Sequence, residues 1–405
     1  MPRKVLISFL GAGVNIGKGN SREYRKTLYK FGEAGFEMET PFIASAIAEN
    51  EKIDSFIFLG TMKSMWEAVY EHFAKEKKVF DEDYYWKLAE QTDSSNYQTI
   101  PSFDLFLGLE KVLGNKSKII PLYYGLNKNE LDYNLEQILG LEKYLTNGDE
   151  IFIDITHSFR SLPVFITTAL FYLNDVSSKK LYIKGIYYGM ADLYSELNFA
   201  PVVRLDSVID TINWIKGAYS FKEFGNAYLI SEQIESLDKS LSVKLKNFSD
   251  AKNLNLLYEL KNQVNSLKAL KFDKLSGLAN TIIPQTIHNF LKHFDNNQTH
   301  SQFQLSIAQW YFENKNYSSS ILVLIESIIT YICESENFIW QDQEDRYKAK
   351  GLLHNFNKYF DVLQIYGPLN TVRNAVAHSI NTPENVSKSI TLLKKSINQL
   401  TKLIH

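Results

Sequence analysis

The sequence predicts two folds in tandem: an α/β half on a doubly wound, mainly parallel sheet, then an all-α helical bundle. Three observations carry this. Short β-rich apolar runs alternate with helical stretches as far as about residue 205, the pattern of a parallel sheet with crossover helices. Several of those runs are apolar almost throughout, as strands covered on both faces require. Beyond Leu205 the pattern is almost entirely helical, with Leu at three-to-four spacing among Lys, Glu and Asn from Leu229 to Leu278. A chain of 405 residues exceeds one core, and the expected division is 1–208 and 209–405.

The elements follow in order. Lys4–Leu10 is a buried strand that meets the loop Gly11-Ala12-Gly13. Residues 14–40 are polar and suit a long excursion or a small hairpin. Pro41–Asn50 reads as a helix with Thr40 as cap and Pro41 at its first position. Ile53–Leu59 is a second strand, ending in Gly60-Thr61. Ser64–Lys78 and two further stretches through Gly114 are helical. Lys118–Tyr124 is a third strand and Lys128–Leu145 a helix. Glu150–Ile155 is a fourth strand; it stops at Thr156–Pro163, and an apolar helix runs on from about Val164 to Leu173. Leu181–Tyr188 is a fifth strand and Leu197–Leu205 offers a sixth. Asp206-Ser207 can start the helical half, where Ser301–Glu313, Tyr317–Glu334 and Arg346–Leu363 are helices. A short helix is expected after Gly367-Pro368, and a last one from about Pro383 to Ile404, with Thr382 as its cap.

Composition narrows the function classes. Hydrophobic residues make up 45% and aromatic residues 14%, enough to fill cores, so wholesale disorder is excluded. The net charge of −2 excludes a bulk nucleic-acid coat; RNA contact would need a local basic patch. A lone cysteine, Cys333, forms no intramolecular disulfide, and Met1-Pro2-Arg3-Lys4 leads straight into a strand; both suit a cytoplasmic location. No apolar run reaches the ~20 residues of a membrane helix, so no membrane partner is expected. Zinc spacings of the CxxC and HExxH kinds are missing, and no metal site is expected.

In an open parallel sheet, ligands sit outside the carboxyl ends of the strands where strand order reverses. Three loops leave such ends. Gly11-Ala12-Gly13 lets a ligand approach the backbone, and Gly60-Thr61 adds a hydroxyl. Thr156-His157-Ser158-Phe159-Arg160 gathers hydroxyls, an imidazole, a ring and a cation before a helix N-terminus, which suits phosphate. A scaffold without ligand, in which Thr156 and Ser158 only cap a helix, remains open. Gly11–Gly13 is neither G-x-G-x-x-G nor a Walker loop.

In the second half, Leu369–Ser379 (L-N-T-V-R-N-A-V-A-H-S) carries Arg373, Asn374 and His378. Asn374 and His378 are four apart and share a helical face; the long Arg373 side chain can reach back. A helix C-terminus favours a protonated imidazole. A surface arginine and a capping histidine would also fit this spacing.

D-I-T-H-S-F-R-S-L-P, Asp154 to Pro163, closely resembles the most recognisable motif of CRISPR-associated CARF domains. The opening L-I-S-F-L-G-A-G and the internal F-L-G-T are similar to further landmarks of that family, and R-N-A-V-A-H resembles the R-x4-6-H motif of HEPN ribonucleases. The order and length resemble the ancillary ribonucleases of type III CRISPR systems. The resemblance implies a Rossmann-like CARF domain joined to a HEPN bundle, acting as a homodimer. The activator it implies is a cyclic oligoadenylate, tetra- or hexa-adenylate, bound across the CARF pair. Gly11, Gly13, Thr61, Thr156, His157, Ser158 and Arg160 would line the ring pocket, and Arg373, Asn374 and His378 would cut single-stranded RNA without metal or other cofactor. Slow cutting of the ring by the CARF pocket is a further expectation. Residues 220–300 match no motif. Two rivals remain: a nucleotide-sensing regulator that binds DNA or protein, and a catalytically silent HEPN scaffold. No stable DNA binding is expected, because no concentrated Arg/Lys stripe is read in the helical half.

Overall fold

A computed structural model describes residues 2–15, 22–23, 26–32, 35–114, 116–157, 161–294, 299–355, 357–378 and 386–404. The chain forms two compact units, Met1–Ser207 and Val208–His405.

The first unit holds ten strands among the described residues: β1 (Lys4–Leu10), β2 (Val14–Asn15), β3 (Arg22–Glu23), β4 (Thr27–Phe31), β5 (Glu37–Thr40), β6 (Ser55–Thr61), β7 (Lys118–Leu122), β8 (Glu150–Asp154), β9 (Tyr182–Gly189) and β10 (Ala200–Arg204). Eight make one sheet in the order β5-β4-β10-β9-β8-β1-β6-β7. From β7 to β9 all neighbours are parallel; β10 runs antiparallel to β9, and β5 antiparallel to β4. The chain leaves β1 for β6 and β7 on one side, then returns to β8 and β9 on the other. That is double winding, with the switch in strand order at β1.

Burial explains the apolar runs. Every residue of β1 after Lys4 is buried, and β6 is buried throughout. Successive side chains point to opposite faces. Leu6 and Leu10 pack with Phe58, Phe152 and Trp66 in one core layer, while Val5, Ile7 and Phe9 are buried on the other side. The polar 14–40 stretch resolves into two pieces. β2 and β3 pair as a small ribbon, and the β4–β5 hairpin adds to the main sheet through β10. The first helix starts at Ile43 rather than Pro41. Thr40 still serves its entry, because the Phe42 N–H donates to its hydroxyl at 3.3 Å.

The second unit is helical. Helices His300–Glu313 and Tyr317–Ser335 form its densest pair. Ser320 and Ser327 donate to the carbonyls of Ala308 and Ser301 at 2.7 and 2.8 Å, so small side chains bring the two backbones close. Helix Tyr317–Ser335 is long and apolar enough to cross a membrane by composition, but 61% of it is buried in the bundle. Its apolarity is that of a core helix. Two expected boundaries shift. The stretch read as Arg346–Leu363 divides into helix Gln343–Asn355 and a short turn at Asn357–Tyr359. The next helix, Phe360–His378, passes through Gly367 and Pro368 instead of starting after them. Proline removes one helical hydrogen bond, but Ile365, Tyr366, Leu369 and Val372 are buried on both sides of it, so packing holds the halves in line. The last helix is described from Val386; Thr382 and Pro383 lie outside the described residues.

Candidate functional site

The carboxyl ends of β6, β1 and β8 lie side by side, because the three strands are adjacent and parallel. The three loops singled out in the sequence therefore meet at one edge of the sheet, at the switch in strand order. With strands ~4.8 Å apart, the loops after β6 and β8 stand ~10 Å from each other, the scale of a nucleotide.

Each loop is pinned. Ser64 donates to the Leu10 carbonyl at 2.7 Å, and the Met65 N–H to the Gly11 carbonyl at 3.2 Å. Gly13 has φ +71°, and a Cβ there would lie 1.9 Å from the Met65 sulfur. Glycine is thus required at 13 by both backbone and space. Thr61 is buried and its carbonyl accepts from the Trp66 indole at 2.9 Å; the side chain lies beneath the loop surface. Gly11 and Gly13 are partly exposed.

The β8 end has its own network. Ser8 and Asp154 are register partners on β1 and β8. Asp154 is fully buried; one carboxyl oxygen accepts from the Ser8 hydroxyl at 2.6 Å and the other from the Thr156 N–H at 2.9 Å. The Thr156 hydroxyl oxygen accepts from the Gly189 N–H at 2.8 Å, which leaves its proton free to point elsewhere. Burial pushes the His157 imidazole below its ordinary value, while Asp154 pulls it back up. A neutral imidazole can donate from one nitrogen and accept at the other, which suits a base edge better than a phosphate. Burial, aided by Asp154, pushes the Tyr29 phenol up to about 12, so it stays protonated. Ser158 and Arg160 lie outside the described residues.

The late helix presents Arg373, partly exposed, and Asn374, exposed; the guanidinium donates to the Asn374 side-chain oxygen at 3.1 Å. Burial raises the Tyr366 phenol, and the charge of Arg373 works against that shift. His378 ends the helix as its last residue; its side chain lies outside the described atoms. The far flank of this helix, Val372, Ala375 and Val376, faces an apolar groove of about 390 Å³ shared with Val386, Ile390 and Leu393.

Sequence reasoning gave no role to Asp154, Ser8 or Tyr29. One signal was present: an acidic residue directly after the apolar run Ile151-Phe152-Ile153. Ser8 and Tyr29 had none, because their importance comes from register across distant strands.

Comparisons with known proteins agree with the α/β fold of the first unit. Residues 5–192 match the model of the CARF domain of the CRISPR system endoribonuclease Csx1. Residues 210–301 match that of the second domain of CRISPR-associated protein MJ1674, which covers the stretch without a recognised motif. CRISPR-associated protein MJ1674 of Methanocaldococcus jannaschii is 36% identical over 427 residues, spanning 98% of this chain and 66% of the relative. The chain thus spans slightly under two thirds of that relative's length. Among solved structures, Enterococcus italicus Csm6 bound to cyclic hexa-2′-fluoro-hexa-dAMP aligns with 99% of this chain and 94% of that one. Its identity is 13% and its TM-score 0.40, too loose a match to bear on the sites.

Proposed function

The chain belongs to the CARF-containing CRISPR-associated proteins, and on that premise we propose that it is an endoribonuclease switched on by a cyclic oligoadenylate. One observation carries the sensing half of this reading: three loops of suitable chemistry converge where strand order reverses. On this reading Gly11, Thr156, His157, Ser158 and Arg160 contact the ring, while Gly13 and Thr61 shape the floor beneath it. The arginine and the helix that follows it attract phosphates; the neutral His157 reads an adenine edge.

The cutting half rests on Arg373, Asn374 and His378. RNA brings its own nucleophile, the 2′-hydroxyl next to the scissile phosphate. The enzyme has to orient it for in-line attack, move protons and stabilise the crowded phosphorane. Arg373 is always charged and grips phosphate with two N–H groups. His378 transfers the proton, and Asn374, already bonded to Arg373, orients the guanidinium or the phosphate. The products are a 2′,3′-cyclic phosphate and a 5′-hydroxyl. One such set per chain is sparse; two copies about a two-fold axis supply two arginines and two histidines to one groove. The ring activates if it binds the cutting-competent pair more tightly than the idle one.

The test is incubation of the purified chain with labelled single-stranded RNA, with and without cyclic tetra- or hexa-adenylate, in the presence of a chelator. Cleavage that appears only with a ring, and leaves cyclic phosphate ends, supports the reading. No cleavage with either ring, despite ring binding, would leave the second half a silent scaffold.

A further inference from the structure

The last helix, Val386–Ile404, is divided by charge as well as by hydropathy. Leu393, Ile397 and Leu400 are buried in the bundle. Its solvent side carries Lys388, Lys394, Lys395 and Lys402, all exposed, and the helix contains no Asp or Glu. The expectation that the helical half lacks a basic stripe is thereby corrected. The four lysines are spread over fifteen positions and become a stripe only when wound at 3.6 residues per turn. Lys394, Lys395 and Lys402 line an open trough of about 390 Å³ with Thr391, Asn398 and Gln399. Among the described residues, none of the four lysines has an acidic partner.

Position gives the stripe a direction. Val372 and Val376, which flank Arg373, share their apolar groove with Val386, Ser389 and Ile390. The helix bearing Arg373 therefore meets the last helix at its start, next to Lys388. From there to Lys402 the helix rises about 21 Å.

We propose that this face is a track for the phosphate backbone of single-stranded RNA, running from the Arg373 helix along the last helix; the proposal rests on the nuclease reading. Lysine ammonium groups on flexible stems follow phosphates without reading bases. Thr391, Asn398 and Gln399 add the hydroxyl and amide contacts that usually go to phosphate and sugar. On a chain of net charge −2, the stripe is a local attraction rather than part of a general basic surface.

The test uses the full chain with His378→Ala, so that bound RNA is not consumed. Binding of a short unstructured RNA is followed by fluorescence anisotropy over a salt series, with and without Lys394→Gln, Lys395→Gln and Lys402→Gln together. Three lost phosphate contacts make the slope of log affinity against log salt shallower by about 2. Melting temperature and ring binding stay as in the parent, and the triple arginine variant keeps the parent's slope. An unchanged slope, with the parent still binding RNA, overturns the track and spares the nuclease reading. So does loss of binding to anionic phospholipid vesicles alone. A wild-type chain that neither binds nor cuts RNA with any ring overturns the nuclease reading, and the track with it.

Discussion

Replacing Asp154 with Asn tests whether the ligand loop after β8 is held from below. The native carboxyl takes two donors, the Ser8 hydroxyl at 2.6 Å and the Thr156 N–H at 2.9 Å, in a fully buried position. Asn keeps its oxygen for the Thr156 N–H and turns its NH2 to the Ser8 oxygen, whose hydroxyl reverses from donor to acceptor, so Asp154→Asn is expected to lose only about 1 kcal/mol in chemical unfolding. Asp154→Ala orphans both donors, at about 1–3 kcal/mol for each, and is the sharper test. Thr156 lies two residues from Asp154 and is bonded to it, so part of the loss falls on the loop's ligand-ready shape. If about 1.4 kcal/mol of it does, the activator concentration for half-maximal cleavage rises about tenfold. The assay is a cleavage dose response alongside the unfolding curve. Wild-type stability together with a wild-type dose response for Asp154→Ala would refute the reasoning.

One further prediction follows from the same unit and one from the whole chain. Gly13→Ala drives a Cβ toward the Met65 sulfur at 1.9 Å and strains a backbone at φ +71°; a loss of about 1–3 kcal/mol is expected. Chemical unfolding of the variant measures it, and wild-type stability would contradict it. Burial holds His72, His157 and His300 below the ordinary imidazole value of 6.5. The unfolded chain then takes up protons first as pH falls. Stability is therefore complete above 6.5 and declines as the pH drops below it. Melting curves in that range should show the decline, and His157→Gln should flatten it by up to about 1.4 kcal/mol per pH unit; an unaltered profile in that variant contradicts the burial argument.

Much of the fold can be read from residues because buried parallel strands write themselves as continuous apolar runs. Lys4–Leu10 and Ser55–Thr61 are near that kind, broken only by a few polar or small residues. What was hidden depends on partners far away in sequence. The β4–β5 hairpin joins the sheet through β10, which lies some 170 residues on, and no local pattern encodes such a pairing. The helix through Gly367-Pro368 was hidden for the opposite reason: local breakers were outweighed by tertiary packing. The loops were visible through residue type, but the pairing of Ser8 with Asp154 needed the register. The lysine stripe needed the helix to extend unbroken from Val386 to Ile404.

If one unit reads a ring while the other cuts RNA, the two activities must separate by mutation. Ring binding by calorimetry and RNA cleavage should be measured on the same preparations of Arg160→Ala and His378→Ala. His378→Ala is expected to bind the ring like wild type without cutting RNA, whereas Arg160→Ala cuts only at raised ring concentration. Full cleavage by His378→Ala, or an Arg160→Ala dose response that overlays wild type, would contradict it.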